Sequence, residues 1–306
     1  MAKRIYIIGA GAIGKALAVC LANAGKDAVL VRSSLDHQPD RLESIRLNMA
    51  DGATLQADLA VKTFSSLSEP DGIFVVASKS FANDGVAEKL GELAINAPVV
   101  LLQNGLNIER PFLSNGFPNL YRCVLLATSQ FEKADELRFR PVAASPVGVV
   151  NRDTAFNDLI VEQLHTNWFP FVREDHIYKM VWQKAIVNCV FNSVCPLLEI
   201  DNGVFHREAK AMKIAGRIIE ECMLIADRSG ISLQLEEIRN TLLSISCAAD
   251  GQFISTLQDI RHHRPTEIGT LNLEVAAIAR SLGLENKVII TSMLGELIAL
   301  RSQLNQ

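Results

Sequence analysis

The sequence predicts an α/β fold in two parts: an N-terminal domain in which helices wind around a parallel sheet, and a C-terminal domain made only of helices. Short β-rich runs alternate with helical stretches through the first half of the chain. This alternation stops after residues 168–172, and segments with a period of 3.6 residues dominate from about residue 177 onward. We therefore place the boundary near residue 172, which gives domains of residues 1–172 and 173–306.

The size and charge of the chain limit the classes of partner. With 306 residues, of which 49% are hydrophobic, the chain is long enough for two domains, each with its own core. A formal net charge of −4 gives no positive surface for nucleic acid or for an anionic membrane. The expected partner is a small molecule.

The cysteines and the N-terminus indicate a cytoplasmic protein. No pair of cysteines has CxxC or metal-ligand spacing, so we expect reduced core thiols, no disulfide and no zinc. Residues 1–14 lack the features of a signal peptide, and no apolar run reaches the length of a membrane span. The six cysteines are Cys20, Cys123, Cys189, Cys195, Cys222 and Cys247.

The elements of the two domains can be placed from their patterns. Residues 52–61 and 143–150 favour strands of a hairpin or of a mixed sheet, and four glycines mark helix stops or turns in the second half. The predicted parallel strands cover residues 5–8, 28–31, 73–77, 99–102 and 123–127. The four glycines are Gly203, Gly230, Gly251 and Gly283.

A glycine motif follows the first predicted strand. Gly9, Gly11 and Gly14 form GxGxxG between that strand and a helix that begins near Ala12, with Ile13 inside the motif. Such a turn needs glycine for the tight bend, for the approach of a pyrophosphate to the backbone, and for packing of the helix on the strand. Because a second strand follows at the expected distance, the sequence predicts a Rossmann-type dinucleotide-binding domain.

The end of the second strand bears on which dinucleotide is bound. Arg32, Ser33 and Ser34 occupy the place where an NAD-selective domain offers an acid to the ribose 2′-hydroxyl. A guanidinium beside hydroxyl groups binds a 2′-phosphate instead, so this position favours NADP(H). The nearby Asp36 leaves NAD as the alternative.

Two further strand ends carry candidate ligand contacts. Lys79 follows the strand at residues 73–77, and Asn104 follows the strand at residues 99–102. Ligands in open α/β sheets bind beyond the carboxyl ends of the strands, so we expect both side chains at one edge.

The most informative segment lies in the second domain. Lys184, Asn188 and Asn192 recur every four residues in the otherwise apolar run 180–194, so they line one stripe of a helix. A solvated stripe would carry mixed charges, whereas one ammonium and two carboxamides suit a small oxygen-rich ligand. A solvent-facing stripe stays the alternative.

The ordered set of motifs resembles the ketopantoate reductase (2-dehydropantoate 2-reductase) family. The matching pieces lie in family order between residue 5 and about residue 270. They are the GxGxxG motif, Arg32, Lys79, Gln103-Asn104-Gly105, Trp182-x-Lys184-x3-Asn188-x3-Asn192, and residues 255–261 followed by Arg264-x-Thr266-Glu267-Ile268.

The resemblance implies a role for each matched residue. Lys184 would be the catalytic acid and Glu267 would assist it. Asn104, Asn188, Asn192 and Ser255 would hold the substrate. Arg32 and Lys79 would contact NADP, with Asn104 also beside the cofactor. The chemistry agrees, since hydride transfer to a ketone builds negative charge on the oxygen, which an ammonium can stabilise and protonate.

The implied activity is NADPH-dependent reduction of ketopantoate to pantoate, on the route to pantothenate and coenzyme A. The chain departs from the family pattern at residues 129–144, at Gly269 and at residues 283–287. A reductase of another 2-oxo acid, or a non-catalytic NADP-binding regulator, therefore stays open. Glu267 also has a purely structural interpretation as a first-turn acid after Thr266, and Ser255 one as a surface hydroxyl. A homodimer is a further open expectation.

Overall fold

The computed structural model describes residues 3–151 and 157–305. Contacts divide the chain into two compact units. Unit 1 comprises Met1–Gln103 and Ile108–Ile177, and unit 2 comprises Asn104–Asn107 and Tyr178–Gln306. Within the described ranges, no helix is long and apolar enough to cross a membrane.

Unit 1 contains eleven strands in its described part, joined in one sheet. The strands are β1 (Arg4–Ile8), β2 (Ala28–Arg32), β3 (Arg41–Met49), β4 (Thr54–Thr63), β5 (Gly72–Val76), β6 (Val99–Leu101), β7 (Leu120–Cys123), β8 (Ala127–Lys133), β9 (Glu136–Pro141), β10 (Ser145–Asn151) and β11 (Phe171–Arg173). The helices of unit 1 are α1 (Ala12–Asn23), α2 (Asn83–Ala94), α3 (Arg110–Ser114) and α4 (Asn157–Leu164).

The sheet has a parallel centre with antiparallel additions. Its strand order is β11-β10-β7-β6-β5-β1-β2-β4-β3-β9-β8. Strand β1 pairs in parallel with β2 and β5, and β6 continues the parallel set to β7. The pairs β3/β4, β8/β9 and β7/β10 are antiparallel. The predicted α/β class is confirmed, as are the mixed-sheet strands expected near residues 52–61 and 143–150.

One predicted strand is wrong. The apolar run 123–127 is not a strand: β7 ends at Cys123, and β8 begins at Ala127. The strand lies earlier because Arg122 is 2% exposed and forms a buried ion pair with Glu109, at 3.0 Å between Nη1 and Oε2. A buried arginine therefore replaces the apolar residue that a strand pattern expects.

The central strands are buried on both faces, as a sheet covered by helices requires. Ile5 and Ile7 of β1 belong to one core cluster, which includes the buried side of α1. Tyr6 and Ile8 belong to a second cluster, which includes α2 and α3. The alternation follows from the two-residue period of a strand.

The described part of unit 2 consists of helices, as predicted. They are α5 (Ile177–Leu198, whose first residue belongs to unit 1), α6 (Val204–Arg207), α7 (Ala209–Arg228), α8 (Leu235–Ala248), α9 (Ser255–Arg261), α10 (Asn272–Ser281) and α11 (Ile289–Leu304). Three of the predicted glycine stops follow helix ends with positive φ: Gly230 after α7, Gly251 after α8 and Gly283 after α10.

The six cysteines are free thiols. Five are buried as expected, and burial raises the pKa of Cys20 and of Cys195 to about 12. Cys247 departs from the expectation because it is exposed on α8.

Candidate active site

The glycine motif in unit 1 forms the turn that the sequence predicts. Gly9 has φ of +114°, and a Cβ there would lie 2.5 Å from the backbone nitrogen of Ser78. A Cβ at Gly14 would overlap the carbonyl oxygen of Gly9. Gly11 precedes α1, and a Cβ there would meet no atom within 4 Å. The structure therefore needs Gly9 and Gly14 for packing, whereas Gly11 leaves open space at the helix N-terminus. Such an N-terminus favours a phosphate, with Ala12 and Ile13 providing its first N–H groups.

Arg32 is the last residue of β2 and is half-buried. Its guanidinium makes no hydrogen bond or ion pair with the rest of the described chain. Asp36 is engaged, because its carboxylate accepts bonds from Lys89 Nζ at 2.7 Å and from the Ser65 N–H at 2.9 Å. The hydrogen bond from Lys89 is the largest cause that holds the pKa of Asp36 well below its ordinary value. The Arg32 guanidinium is thus available to a ligand, and Lys89 compensates the negative charge of Asp36.

The carboxyl ends of β5 and β6 carry two buried polar atoms whose role the sequence did not predict. Among the described residues, Ser78 Oγ and Gln103 Oε1 have no hydrogen-bond partner. The Gln103 amide nitrogen donates to Asn83 Oδ1 at 2.5 Å, which fixes its side chain. Lys79 follows Ser78, is half-buried, and precedes a short 3₁₀ turn at Ser80–Ala82. Ser78 and Gln103 directly precede Lys79 and Asn104, and this position is the feature of the sequence that could have indicated them.

Helix α5 carries the polar stripe of unit 2. Lys184 and Asn188 are half-buried, and Asn192 is 3% exposed. The Asn192 carboxamide donates to the Asn188 carbonyl at 3.0 Å and accepts from Thr256 Oγ1 at 2.7 Å. By contrast, the Asn188 carboxamide makes no hydrogen bond with any described residue. The three residues share a helix. Of the two asparagines, only Asn188 has both its carboxamide oxygen and its carboxamide nitrogen available to a ligand.

Helix α9 begins beside this stripe. Ser255 is its first residue, is exposed, and donates to Asn192 Oδ1 at 3.4 Å. Thr256, for which the sequence predicted no role, is buried and makes the shorter bond to the same oxygen. Asn192 therefore ties the start of α9 to α5.

Asn104 belongs to unit 2 although the strand before it belongs to unit 1. The Leu106 N–H donates to the Thr270 carbonyl at 2.8 Å, and Asn107 Nδ2 donates to Glu274 Oε1 at 2.7 Å. Asn104 Oδ1 is buried and has no partner in the described parts of the chain. Gly105 has φ of +109° and fits against Thr270.

Glu267 lies three residues before Thr270, the residue against which Gly105 packs. It is half-buried and precedes the 3₁₀ turn Ile268–Thr270 rather than standing in the first turn of an α-helix. Its carbonyl accepts from the Thr270 N–H and from Thr270 Oγ1, both at 3.1 Å. Thr270 therefore connects the backbone at Glu267 with the segment that carries Asn104.

Comparison with known proteins decides the family. The model described as "Ketopantoate reductase PanE/ApbA" matches residues 5–139, and its C-terminal counterpart matches residues 176–300. The chain belongs to the ketopantoate reductase family. It is an oxidoreductase of the 2-dehydropantoate 2-reductase type.

Relatives with that activity in their names span nearly the whole chain. The 2-dehydropantoate 2-reductase of Pyrococcus horikoshii is 24% identical over 286 residues, which cover 92% of each chain. That of Streptococcus pyogenes serotype M6 is 24% identical over 294 residues, again 92% of each chain.

Solved structures share the fold. A D-mandelate dehydrogenase, solved with NADH and anilino(oxo)acetate, superposes with a TM-score of 0.84 at 19% identity, covering 99% of both chains. The dimeric ketopantoate reductase from Staphylococcus aureus superposes with a TM-score of 0.80 at 18% identity, covering 99% of this chain and 100% of that one. A second structure of D-mandelate dehydrogenase, solved with NADH, superposes with a TM-score of 0.82 at 19% identity, covering 99% of this chain and 100% of that one.

Proposed function

We propose that this enzyme uses NADPH to reduce 2-dehydropantoate (ketopantoate) to pantoate, on the route to pantothenate and coenzyme A, with Lys184 as the general acid. The observation that carries the proposal is the position of Asn104. It precedes Lys184 by 80 residues, yet the contacts of Leu106 and Asn107 group it with the helical unit that contains Lys184.

The polar atoms of unit 2 match the chemistry of a hydroxylated 2-oxo acid. Asn104 Oδ1 is a buried acceptor without a described partner, which costs about 1–3 kcal/mol if it stays unpaired. A substrate hydroxyl would donate to it, and the Asn188 carboxamide would donate to a carboxylate or carbonyl oxygen. Ser255 adds an exposed hydroxyl, and Asn192 holds that hydroxyl while contributing its second N–H. Ketopantoate offers all of these oxygen types.

Lys184 would supply the proton. The nicotinamide, when bound, supplies a hydride to the C2 carbonyl carbon. The C–O double bond becomes a single bond, and its electron pair takes a proton from Lys184 Nζ, which leaves a neutral amine. The amine regains its proton from solvent. The half-buried position of Lys184 strengthens its attraction for the developing oxyanion relative to a fully solvated ammonium.

Glu267 would assist by hydrogen-bonding the substrate and by helping to set the position of the ammonium. Its backbone is held by two bonds from Thr270, so the carboxylate starts from a fixed point. We assign it a supporting role, because a carboxylate only accepts hydrogen bonds, whereas an ammonium has protons to donate to the product oxygen.

Two features of unit 1 support NADPH as the cofactor. Gly11, Ala12 and Ile13 would hold the pyrophosphate at the N-terminus of α1, where the space beside Gly11 is open. The unpartnered Arg32 would bind the 2′-phosphate, and Asp36 would not oppose it because Lys89 neutralises that carboxylate. Lys79 would contact cofactor and substrate oxygens. We propose a cytoplasmic location and a homodimer as the assembly.

The test is NADPH oxidation by the purified enzyme with ketopantoate against a panel of 2-oxo acids, including 2-oxo-2-phenylacetate, pyruvate and 2-oxoisovalerate. We expect kcat/KM for ketopantoate to exceed that of every other acid by at least about tenfold. Better turnover of another acid would assign the enzyme to that substrate. NADPH binding without oxidation of any acid would favour a non-catalytic regulator.

A further inference from the structure

Helix α11 presents an apolar face to solvent. Five of its side chains are large, apolar and between 43% and 78% exposed. At 100° per residue, they fall within an arc of about 80° on the helix, and no other residue of α11 falls in that arc. The five are Ile289, Met293, Leu297, Leu300 and Leu304. We refer to them as the α11 face.

The composition of α11 is reversed relative to an ordinary surface helix. Its inner side buries small or polar residues along with Ile298: Thr291, Gly295 and Ser302. A surface helix normally places charged residues on the side opposite its buried stripe. In α11 that side carries the α11 face instead. The described residues of unit 2 leave this apolar surface exposed.

The helix is anchored at both ends. Glu221 accepts bonds from the N–H groups of Ile290, at 3.1 Å, and of Thr291, at 2.8 Å, at the start of α11. Near the other end, Arg301 contacts the Pro196 carbonyl and Glu199. The α11 face is therefore presented on a fixed helix and cannot turn inward without breaking these bonds.

The spacing of the α11 face is nearly symmetric about its own centre. Ile289 and Leu304 lie equally far from the midpoint between residues 296 and 297, Met293 and Leu300 do so as well, and Leu297 lies next to that midpoint. In a two-fold dimer, residue i of one copy contacts residue j of the other, and j contacts i. An antiparallel pair of α11 helices would thus place every apolar side chain against another.

We propose that the α11 face is the surface through which two copies of this chain associate, with their α11 helices antiparallel. Antiparallel helices also align their dipoles favourably. The stripe is about 22 Å long, so it supplies only part of the roughly 800 Å² per partner of a standard interface. A stripe of this size predicts a reversible dimer rather than a permanent one. The inference names the surface for the proposed homodimer and does not depend on which substrate is reduced.

The first experiment is sedimentation velocity on the full chain from about 1 to 100 μM. We expect a species of twice 33.5 kDa to form. Met293→Glu/Leu300→Glu should raise the dissociation constant by at least about 100-fold, because each two-fold contact then brings carboxylates together. Leu42→Glu, at a 74% exposed leucine of β3, is the matched control and should leave association unchanged. Circular dichroism and NADPH oxidation on each variant report folding and activity separately, so loss of association is distinguishable from failure of the proposed reaction.

A cysteine pair tests the orientation in a Cys247→Ser background, which removes the exposed thiol. Ile289→Cys/Leu304→Cys should form intermolecular disulfides, whereas Ile289→Cys alone should not, because the two 289 positions lie about 22 Å apart in the antiparallel pair. Efficient crosslinking by Ile289→Cys alone would overturn the antiparallel arrangement. A wild-type chain that stays monomeric at 100 μM, or a dimer insensitive to the double glutamate variant, would overturn the proposal. Binding of a monomeric chain to phosphatidylcholine and phosphatidylglycerol vesicles would assign the face to lipid instead.

Discussion

The Thr270 carbonyl accepts a hydrogen bond from the Leu106 N–H at 2.8 Å, although 164 residues separate the two along the chain. Thr270 also donates twice to the Glu267 carbonyl. One residue therefore fixes the backbone beside two proposed functional side chains, Asn104 and Glu267. Their relative position within unit 2 depends on this local packing.

Gly105→Ala tests that packing. The residue has φ of +109°, and a Cβ would overlap Thr270 Oγ1 and Cβ, so we expect a loss of at least about 2 kcal/mol of stability. The displaced Asn104 should also lower kcat/KM for the 2-oxo acid. Gly85→Ala is the control, because a Cβ at Gly85 in α2 meets no atom within 4 Å and should be neutral or stabilising. Urea unfolding and steady-state kinetics measure both effects; equal behaviour of the two variants would contradict the account.

Asn188→Ala and Asn192→Ala should separate binding from stability. The Asn188 carboxamide has no partner in the described chain, so its removal should raise the KM for the 2-oxo acid and change the unfolding free energy by less than about 0.5 kcal/mol. Removal of the Asn192 carboxamide strands the buried Thr256 hydroxyl and should cost about 1–3 kcal/mol of stability. Urea unfolding and KM measurements check this. A loss of stability in Asn188→Ala with an unchanged stability in Asn192→Ala would contradict it.

Arg32→Asp should change the cofactor preference. A carboxylate in place of the guanidinium repels a 2′-phosphate and accepts from a 2′-hydroxyl, so the ratio of kcat/KM for NADPH over NADH should fall by at least about tenfold. Arg228→Asp makes the same charge change at the exposed end of α7 and serves as the control. An unaltered NADPH/NADH ratio in Arg32→Asp would place the 2′-phosphate elsewhere.

Asp201 gives unit 2 an acid-dependent stability. Its two carboxylate oxygens both accept from Arg207 Nη2, at 2.9 Å for Oδ1 and 2.8 Å for Oδ2, and Oδ1 also accepts from the Gly203 N–H at 2.7 Å. The bond with Arg207 is the largest cause that lowers the pKa of Asp201 to about 2 from an ordinary 3.8. Because the folded pKa lies below the unfolded one, the stabilisation is present above about pH 4 and is lost as the pH falls toward 2.

Asp201→Asn should therefore reduce the unfolding free energy by about 1–2 kcal/mol at neutral pH and by much less near pH 2. Unfolding curves collected between pH 2 and 7 check this, with Asp135→Asn at an exposed turn as the control. A constant difference between Asp201→Asn and the wild type across that range would contradict the linkage.

The sequence was sufficient for the parts of the fold that depend on local pattern. The glycine turn at Gly9, the helix that begins at Ala12 and the all-helical second half follow from periodicity and from glycine geometry. The strands β3, β8 and β9 were not predicted. They form part of the sheet through pairing between residues that lie far apart along the chain, such as Arg46 with Glu136. Arg122 shifted β7 because its partner, Glu109, is supplied by tertiary structure.

The candidate site shows the same limit. The spacing of Lys184, Asn188 and Asn192 placed them on one helix, but it could not distinguish the open Asn188 carboxamide from the occupied one of Asn192. That difference depends on Thr256, which α9 brings to α5. Ser78 carried no pattern beyond its position at a strand end, and Gln103 was matched only as the residue before Asn104. Their unpaired buried atoms become visible only when the surrounding structure is known.

The most direct test of the central claim is the rate of NADPH oxidation by Lys184→Ala with ketopantoate, measured in a single turnover beside NADPH binding by fluorescence. Lys179→Ala, at an exposed lysine of the same helix, is the control and should match the wild type. We predict that Lys184→Ala binds NADPH as the wild type does and oxidises it about 10²–10⁴ times more slowly. An unchanged rate in Lys184→Ala would remove this lysine from the reaction and contradict the proposed mechanism.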